Sequence, residues 1–450
     1  MNESWTDGGV VSRLDGSPAG SRRPRQRLVI VVRADPVICG HSGEGRNLAE
    51  AALLRGFAEV RIVTWPIELL ERSGLPLKPL DGILPYSDGI EVERPAAVGD
   101  YKVPDGRYLA GLTGRLVELF TDGVPTVCMS LYLSPHTTAV SEALRIARST
   151  GLPVRVSTIA EAVGSDITNV VRSCVAQGQF GAAAHVLGAY LDSDLPVAVS
   201  DYTRRLVISS AEQIDAGRGT RFAEQCRERI VVSYPAVNTA SYLDLDPERM
   251  AQCLRDRELA ADRYVLFLSR LAHAKGVDDL IDGFAASIAC ADLKLVIAGN
   301  GPQAAELHAR AAASDAAGRI VFLDDVDDGE KPYLMAGCAA FVLPSKPRPE
   351  FVETFGIALV EKMLAGGGPL ITTETGGIGE AVGHTAMIVP ANSPSSIAET
   401  LDRALRLPAS ERTEMAERAR AYALQFDRLQ VLDRLLERLH RSIELERTAS

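Results

Sequence analysis

The sequence lacks a surplus of positive charge, a paired-cysteine framework and any long apolar run. With 48 Lys and Arg against 59 Asp and Glu, the formal net charge is -11, which argues against a general polyanion binder and removes nucleic acid as an expected partner. Seven cysteines, an odd number, are scattered without a CxxC pair, so a reduced, cytoplasmic protein is expected rather than a disulfide scaffold. No apolar stretch approaches the roughly 20 residues of a membrane span, and the N-terminus has no apolar h-region of a signal peptide. Neither a short-period repeat nor a metal-ligand cluster is evident.

What is present is material for globular cores. The chain has 450 residues, 46% of them hydrophobic and 24% charged, which suits two large domains at about 150 or more residues each. Residues 1–27 are polar and rich in Gly, Ser and Arg, and are expected to form a disordered tail. Two apolar segments each read as a buried parallel strand opening a domain: LVIVV at Leu28 to Val32, before ICGHSGEG and a helix from near Arg46, and YVLFL at Tyr264 to Leu268, before SRLAHAKG and a helix. Further short apolar runs alternate with helical stretches in both halves, with strands expected near Val60, Thr126, Val154, Val197, Leu293, Ile320, Ala340 and Pro369. That alternation predicts α/β architecture with two doubly wound parallel sheets. The division falls at VVSYPAVNTASY, giving domains 28–236 and 237–424 and a last segment 425–450. In that segment Leu429, Leu432, Leu436, Leu439 and Ile443 form one helical stripe, expected to pack on protein, because its other face mixes acids with bases.

Four loops could carry chemistry. Arg270 and Lys275 lie just past a strand's carboxyl end, where open α/β sheets bind ligands, and two fixed cations suit a diphosphate; a solvated loop is the plain alternative. AGNGPQ, with Gly299, is either a turn or a close backbone approach to ligand. In EFVETFGIALVE, Glu353 precedes a helix expected from Ile357 to Leu364 and Glu361 lies within it, roughly 7 Å along the axis from Gly356 at 1.5 Å per residue. The two glutamates would then meet different parts of one elongated ligand instead of forming an acid/base pair, while the helix N-terminus favours an anion. ETGGIGE offers a second glycine-rich approach through Gly376 and Gly377, or a turn.

LSRLAHAKGVDDLIDGF, LVIAGNGP, LPS and ETFGIALVEKMLAGGGPLITTETGGIGE together resemble, in order and spacing from Tyr264 to Ile388, the retaining GT-B glycosyltransferases of the family 4 type (glycosyl transferases group 1). In the first half HSGEGRN, YLSPHTTA, VGSDI and VVSYPAVNT resemble its landmarks more loosely. The resemblance implies a GT-B fold, two Rossmann-like domains facing each other across a cleft with the C-terminal helix crossing back to the first. It implies a nucleoside-diphosphate sugar as donor, UDP- or GDP-linked, and no cofactor or metal. Arg270 and Lys275 would bind the diphosphate; Glu353 would contact the sugar, helped by Thr354, Phe355 and Gly356; Glu361 would hold the ribose; Gly43 would approach the phosphates from the first domain; Gly299 would border the donor; and residues near Val326 would meet the base. The histidine that the family often carries in VRVSTIAEAVGSD is missing, leaving His136 as substitute, with Asp166 and Glu161 as further candidates. The expected acceptor is a small soluble molecule of a secondary-metabolite or antibiotic pathway, a thiol or aminocyclitol among the options. A GT-B epimerase, a pseudo-glycosyltransferase and a non-catalytic nucleotide-sugar sensor are the alternatives.

Overall fold

The structure is a computed structural model that describes residues 26–449 apart from 101 and 350. The expected tail therefore lies outside the described residues up to position 25. Arg27, assigned to that tail, instead opens the first strand and is 3% exposed. Its guanidinium bonds Glu59 at 2.8 Å and Asp122 at 2.7 Å, so the burial of a charge is matched by two carboxylates.

Two parallel sheets form the frame. The first holds β1 (Arg27–Val31), β2 (Glu59–Val63), β3 (Ile90–Glu93), β4 (Thr126–Leu131), β5 (Val156–Ala162), β6 (Leu195–Ala198) and β7 (Val231–Val232), in the order β3-β2-β1-β4-β5-β6-β7. The second holds β8 (Tyr264–Leu268), β9 (Lys294–Ala298), β10 (Ile320–Leu323), β11 (Ala340–Leu343), β12 (Leu370–Thr372) and β13 (Met387–Ile388), in the order β10-β9-β8-β11-β12-β13. Both orders run outward in two directions from the opening strand, the doubly wound arrangement that leaves a crevice at the strands' carboxyl ends. β1 shows why the pattern was uniformly apolar. Leu28 and Ile30 pack with Leu48 and the C-terminal helix, while Val29 and Val31 pack with Leu116 and Val140 on the opposite face, as expected for a sheet covered on both sides.

The chain crosses between domains twice, and the crossings lie side by side. Val237 N donates to Phe426 O and Arg428 N to Val237 O, each at 2.9 Å, so a short parallel bridge joins the outward and returning segments. Beside it Tyr234 stacks on Phe355 at 5.4 Å, and Phe426 meets both rings edge-on. After the second crossing the helix Arg428–Ala449 buries Val431, Leu432, Leu435 and Leu439 in the first domain's core.

Candidate active site

The loop after β8 carries Arg270 and Lys275, and its shape depends on the neighbouring AGNGPQ loop. Leu271 N donates to Asn300 O at 2.9 Å, and Gln303 N to Leu271 O at 3.1 Å. A Cβ at Gly299, where φ is +135°, would stand 2.0 Å from Ser269 O. The glycine expected to border a ligand is thus required by this loop-to-loop packing. Gly376 and Gly377 behave alike: a Cβ at either would fall within 2.0 Å of Glu353 O or Thr354 O, so the double glycine approaches the Glu353 loop and not the open cleft.

Lys275 and Glu353 form a buried ion pair through Nζ and Oε2, each residue less than a tenth exposed. Phe351 underlies both cations of the loop, 5.9 Å from Arg270 Cζ and 5.4 Å from Lys275 Nζ. The Arg270 side chain has no ion pair or hydrogen bond among the described residues and is half-buried. Beside the Lys275–Glu353 pair begins the helix Ile357–Ala365, with Gly356 at its N-cap at φ +101°, where a Cβ would stand 3.8 Å from Glu353 Cγ. No acceptor among the described residues takes the N–H of Phe355, Gly356 or Ile357, so an open helix end with its positive dipole stands beside the Lys275–Glu353 pair. Thr354 touches the first domain: its Cγ2 fills the space a Cβ at Gly164 would need. The Phe355 side chain belongs to the aromatic cluster at the crossing and leaves only its backbone for the cleft.

Glu361 lies further along the same helix, and its Oε1 pairs with Lys331 Nζ at 2.7 Å. Burial lowers the Lys331 pKa, but Glu361, Tyr242 and Asp328 raise it more, holding the amine well above its ordinary value. Each glutamate of the motif has its own cation, so the two do not form an acid/base pair. Val326 sits half-buried in the loop between β10 and the helix Lys331–Gly337, packed against the second core.

The first domain brings the N-terminus of the helix Gly40–Leu54 to this cleft, close enough that a Cβ at Gly40 would stand 3.3 Å from Ile357 Cδ1. The helix starts at Gly40, six residues earlier than its apolar stripe suggested. Cys39 takes the extended N-cap conformation and Ser42 Oγ donates to Arg33 O. Gly43 is therefore a residue of the first turn and not of a loop; it is exposed, with open space around its Cα.

His136 is 1% exposed, and Trp65 Nε1–H donates to its Nε2 at 3.2 Å. Burial and the nearby Arg33 guanidinium push its pKa down to about 3. An imidazole with Nε2 already occupied, packed between Trp65 and Tyr132, is a weak base and does not stand open to the cleft. Asp166 is fully buried and accepts the N–H groups of Leu133, Val163, Gly164 and Ile167; it organises two loops. Glu161 faces Glu44 of the Gly40 helix. Burial raises the Glu44 pKa to about 7, against the pull of Ala236 N–H, and burial together with Glu44 raises that of Glu161 well above the carboxylate range. These acids lie against the interdomain crossing and are not presented to a ligand.

Four residues were given no role from the sequence: Arg33, and His41, Tyr132 and Glu380, which lie within HSGEGRN, YLSPHTTA and ETGGIGE. Glu380, the last residue of ETGGIGE, accepts the N–H groups of Asp201 at 2.7 Å and Tyr202 at 2.9 Å. It thereby caps the helix Asp201–Arg218 of the opposite domain. Lys78 and Asp328 join the domains a second time at 2.7 Å. Among the described residues no three His, Cys, Asp or Glu side chains converge as metal ligands, and no helix is long and apolar enough to cross a membrane.

The profile of the family described as glycosyl transferases group 1 matches residues 255–422. A D-rhamnosyltransferase, WbpZ of Pseudomonas aeruginosa, is 34% identical over 148 residues, 32% of this chain and 36% of that protein. A 2-deoxystreptamine glucosyltransferase of Streptomyces kanamyceticus is 27% identical over 183 residues, covering 38% and 46%. The chain thus matches less than half the length of either curated relative. In three dimensions the likeness extends much further. The crystal structure of HepE from Anabaena in complex with UDP and glucose superposes with a TM-score of 0.65 at 19% identity, covering 92% of this chain and 99% of that one. The fold is GT-B.

Proposed function

We propose, from a second domain matching glycosyl transferases group 1 set in a GT-B fold, that the protein is a glycosyltransferase. It moves a sugar, with retention of configuration, from a nucleoside-diphosphate sugar to a small acceptor. The observation that carries this reading is Arg270: a half-buried cation without an anion among the described residues, over the same Phe351 ring as Lys275, whose partner Glu353 adjoins the open N-terminus of the Ile357–Ala365 helix. Such a combination complements a diphosphate. WbpZ and the 2-deoxystreptamine enzyme are named as sugar transferases, and the HepE structure holds UDP and glucose, which supports the same donor class.

The chemistry follows from where charge develops. As the anomeric C–O bond breaks, its electron pair goes to a diphosphate oxygen, and the anomeric carbon becomes oxocarbenium-like. Arg270, Lys275 and the helix end stabilise the growing negative charge without rearrangement, where preorganised dipoles are most effective. Glu353 engages Lys275 through Oε2 only, which leaves Oε1 for a donor-sugar hydroxyl. Attack by the acceptor from the face of departure retains configuration, its proton passing to the leaving oxygen. This route needs neither a metal nor the missing histidine, and the enzyme works in the cytoplasm.

Acceptor-dependent release of nucleoside diphosphate from a UDP- or GDP-sugar tests the proposal. Interconversion of the donor without an acceptor would make the protein an epimerase. Binding without any turnover would make it a sensor.

A further inference from the structure

One cation of the cleft has no part in the donor chemistry above. Arg33 stands two residues past the carboxyl end of β1, on the first domain. Its Nη2 lies 3.0 Å from His41 Nε2, and its Cζ stands 5.0 Å from the Tyr132 ring. It forms no ion pair among the described residues, and its Nε, shielded from solvent, has no hydrogen-bond partner. The nearest carboxylate in sequence, Asp35, is taken by Arg46 at 2.6 Å and Tyr86 at 3.1 Å.

The groups around Arg33 are also donors. The protein surrounding His41, followed by the charges of Arg33, His136 and Arg270, pushes its pKa down to about 3, so the ring is neutral near pH 7. A neutral ring that accepts at Nε2 from Arg33 carries its proton on Nδ1 and offers an N–H there. Tyr132 holds its ring on the guanidinium from a backbone at φ +118°, a conformation costly for a non-glycine residue and typical of ligand sites. His41 feels Arg33 from its own domain and Arg270 from the other, so this donor cluster borders the diphosphate cations.

A half-buried guanidinium with an unmet N–H is unfavourable until an anion arrives, and its planar fork matches a carboxylate or phosphate. Arg33 is seated on first-domain groups, His41 and Tyr132, whereas the donor cations all come from the second domain. We infer that Arg33 reads the acceptor, taking a carboxylate or phosphate on it, and that the enzyme selects anionic acceptors over neutral or cationic ones. This narrows the acceptor expectation above: an aminocyclitol, cationic at neutral pH, would meet the Arg33 guanidinium, while a thiol or alcohol nucleophile on an acid-bearing molecule fits. The inference rests on the proposed transferase reading.

The test is calorimetric titration of inorganic phosphate into protein saturated with whichever of UDP, GDP or ADP raises its melting temperature most. Wild-type protein should bind phosphate with the diphosphate site full. Arg33→Gln should bind it at least tenfold more weakly and Arg33→Lys to an intermediate degree, both keeping nucleotide affinity within about twofold. Circular dichroism and an unchanged melting temperature show that the variants fold, and the lysine variant carries the test if the glutamine variant does not. Phosphate that fails to bind the saturated wild-type protein, or binds Arg33→Gln equally, overturns the inference. If phosphate instead competes with nucleotide, and Arg33→Gln loses nucleotide tenfold, Arg33 belongs to the donor's diphosphate and the inference is equally wrong. Absence of any nucleotide binding would refute the transferase reading itself, a result separate from all of these.

Discussion

Lys275 and Glu353 are held together where neither can be removed without consequence. Replacing Lys275 by alanine is expected to lower turnover at least about tenfold, about 1.4 kcal/mol of transition-state stabilisation. It should also destabilise the fold, since a carboxylate left alone in a buried site costs about 3 kcal/mol or more. Lys275→Ala/Glu353→Ala should recover much of that stability in denaturant unfolding but none of the turnover; recovery of both would remove Lys275 from catalysis. The buried acids give a second prediction. Glu44 and Glu161 have raised pKa values, so the folded state holds protons that the unfolded chain releases above about 4.5, and the stability they contribute is lost as pH rises through about 7. Glu161→Gln should flatten the decline in stability between pH 5 and 8. His41 and His136 act in the other direction, losing stability as pH falls from 6.5 towards 3. At this scale the cation pair and the two glutamates were legible because their loops follow recognisable strands. Gly299, Gly376 and Gly377 were not, because a glycine's spacing does not say whether ligand or carbonyl fills the space its missing Cβ leaves. Arg33 stood in plain view after LVIVV, but only the fold shows that no carboxylate among the described residues pairs with it.

Among the elements, strands buried on both faces were readable as apolar runs, and β1, β4, β8, β9, β10 and β11 lie where those runs are. β3 and β13 escaped. IEVE alternates polar residues at the sheet edge, and MI is two residues long. β5 extends to Ala162, further than its apolar signal, because Glu161 interrupts the run while still buried. Caps supplied from a distance are equally invisible to local sequence, as Glu380 shows. Its carboxylate serves the N-terminus of an 18-residue helix in the other domain. Glu380→Ala should cost about 1 kcal/mol, the order of a lost capping interaction, since Ser200 remains as the helix's own N-cap. It should also increase the radius of gyration in small-angle scattering, since one of the contacts joining the domains is gone. An unchanged scattering profile would confine Glu380 to a local role.

For the whole molecule, the account is of two doubly wound domains whose facing edges complete one site. In the proposed site the second domain would contribute Arg270, Lys275, Glu353 and the Ile357–Ala365 helix end, and the first the Gly40–Leu54 helix end and Arg33. Paired crossings at Val237 and Asp427 form a narrow connection, about which such domains swing when ligand enters and leaves. This level was the most legible from sequence, since the order of strands, loops and motifs already specified two similar halves. Their exact apposition was not, because it rests on single contacts such as Lys78 with Asp328. The most direct test is a steady-state assay of nucleoside diphosphate release from UDP- and GDP-sugars, with and without anionic acceptors, in wild-type protein and Arg270→Ala. The account predicts release that requires an acceptor and falls at least about tenfold in the variant. Equal release by both proteins would contradict it.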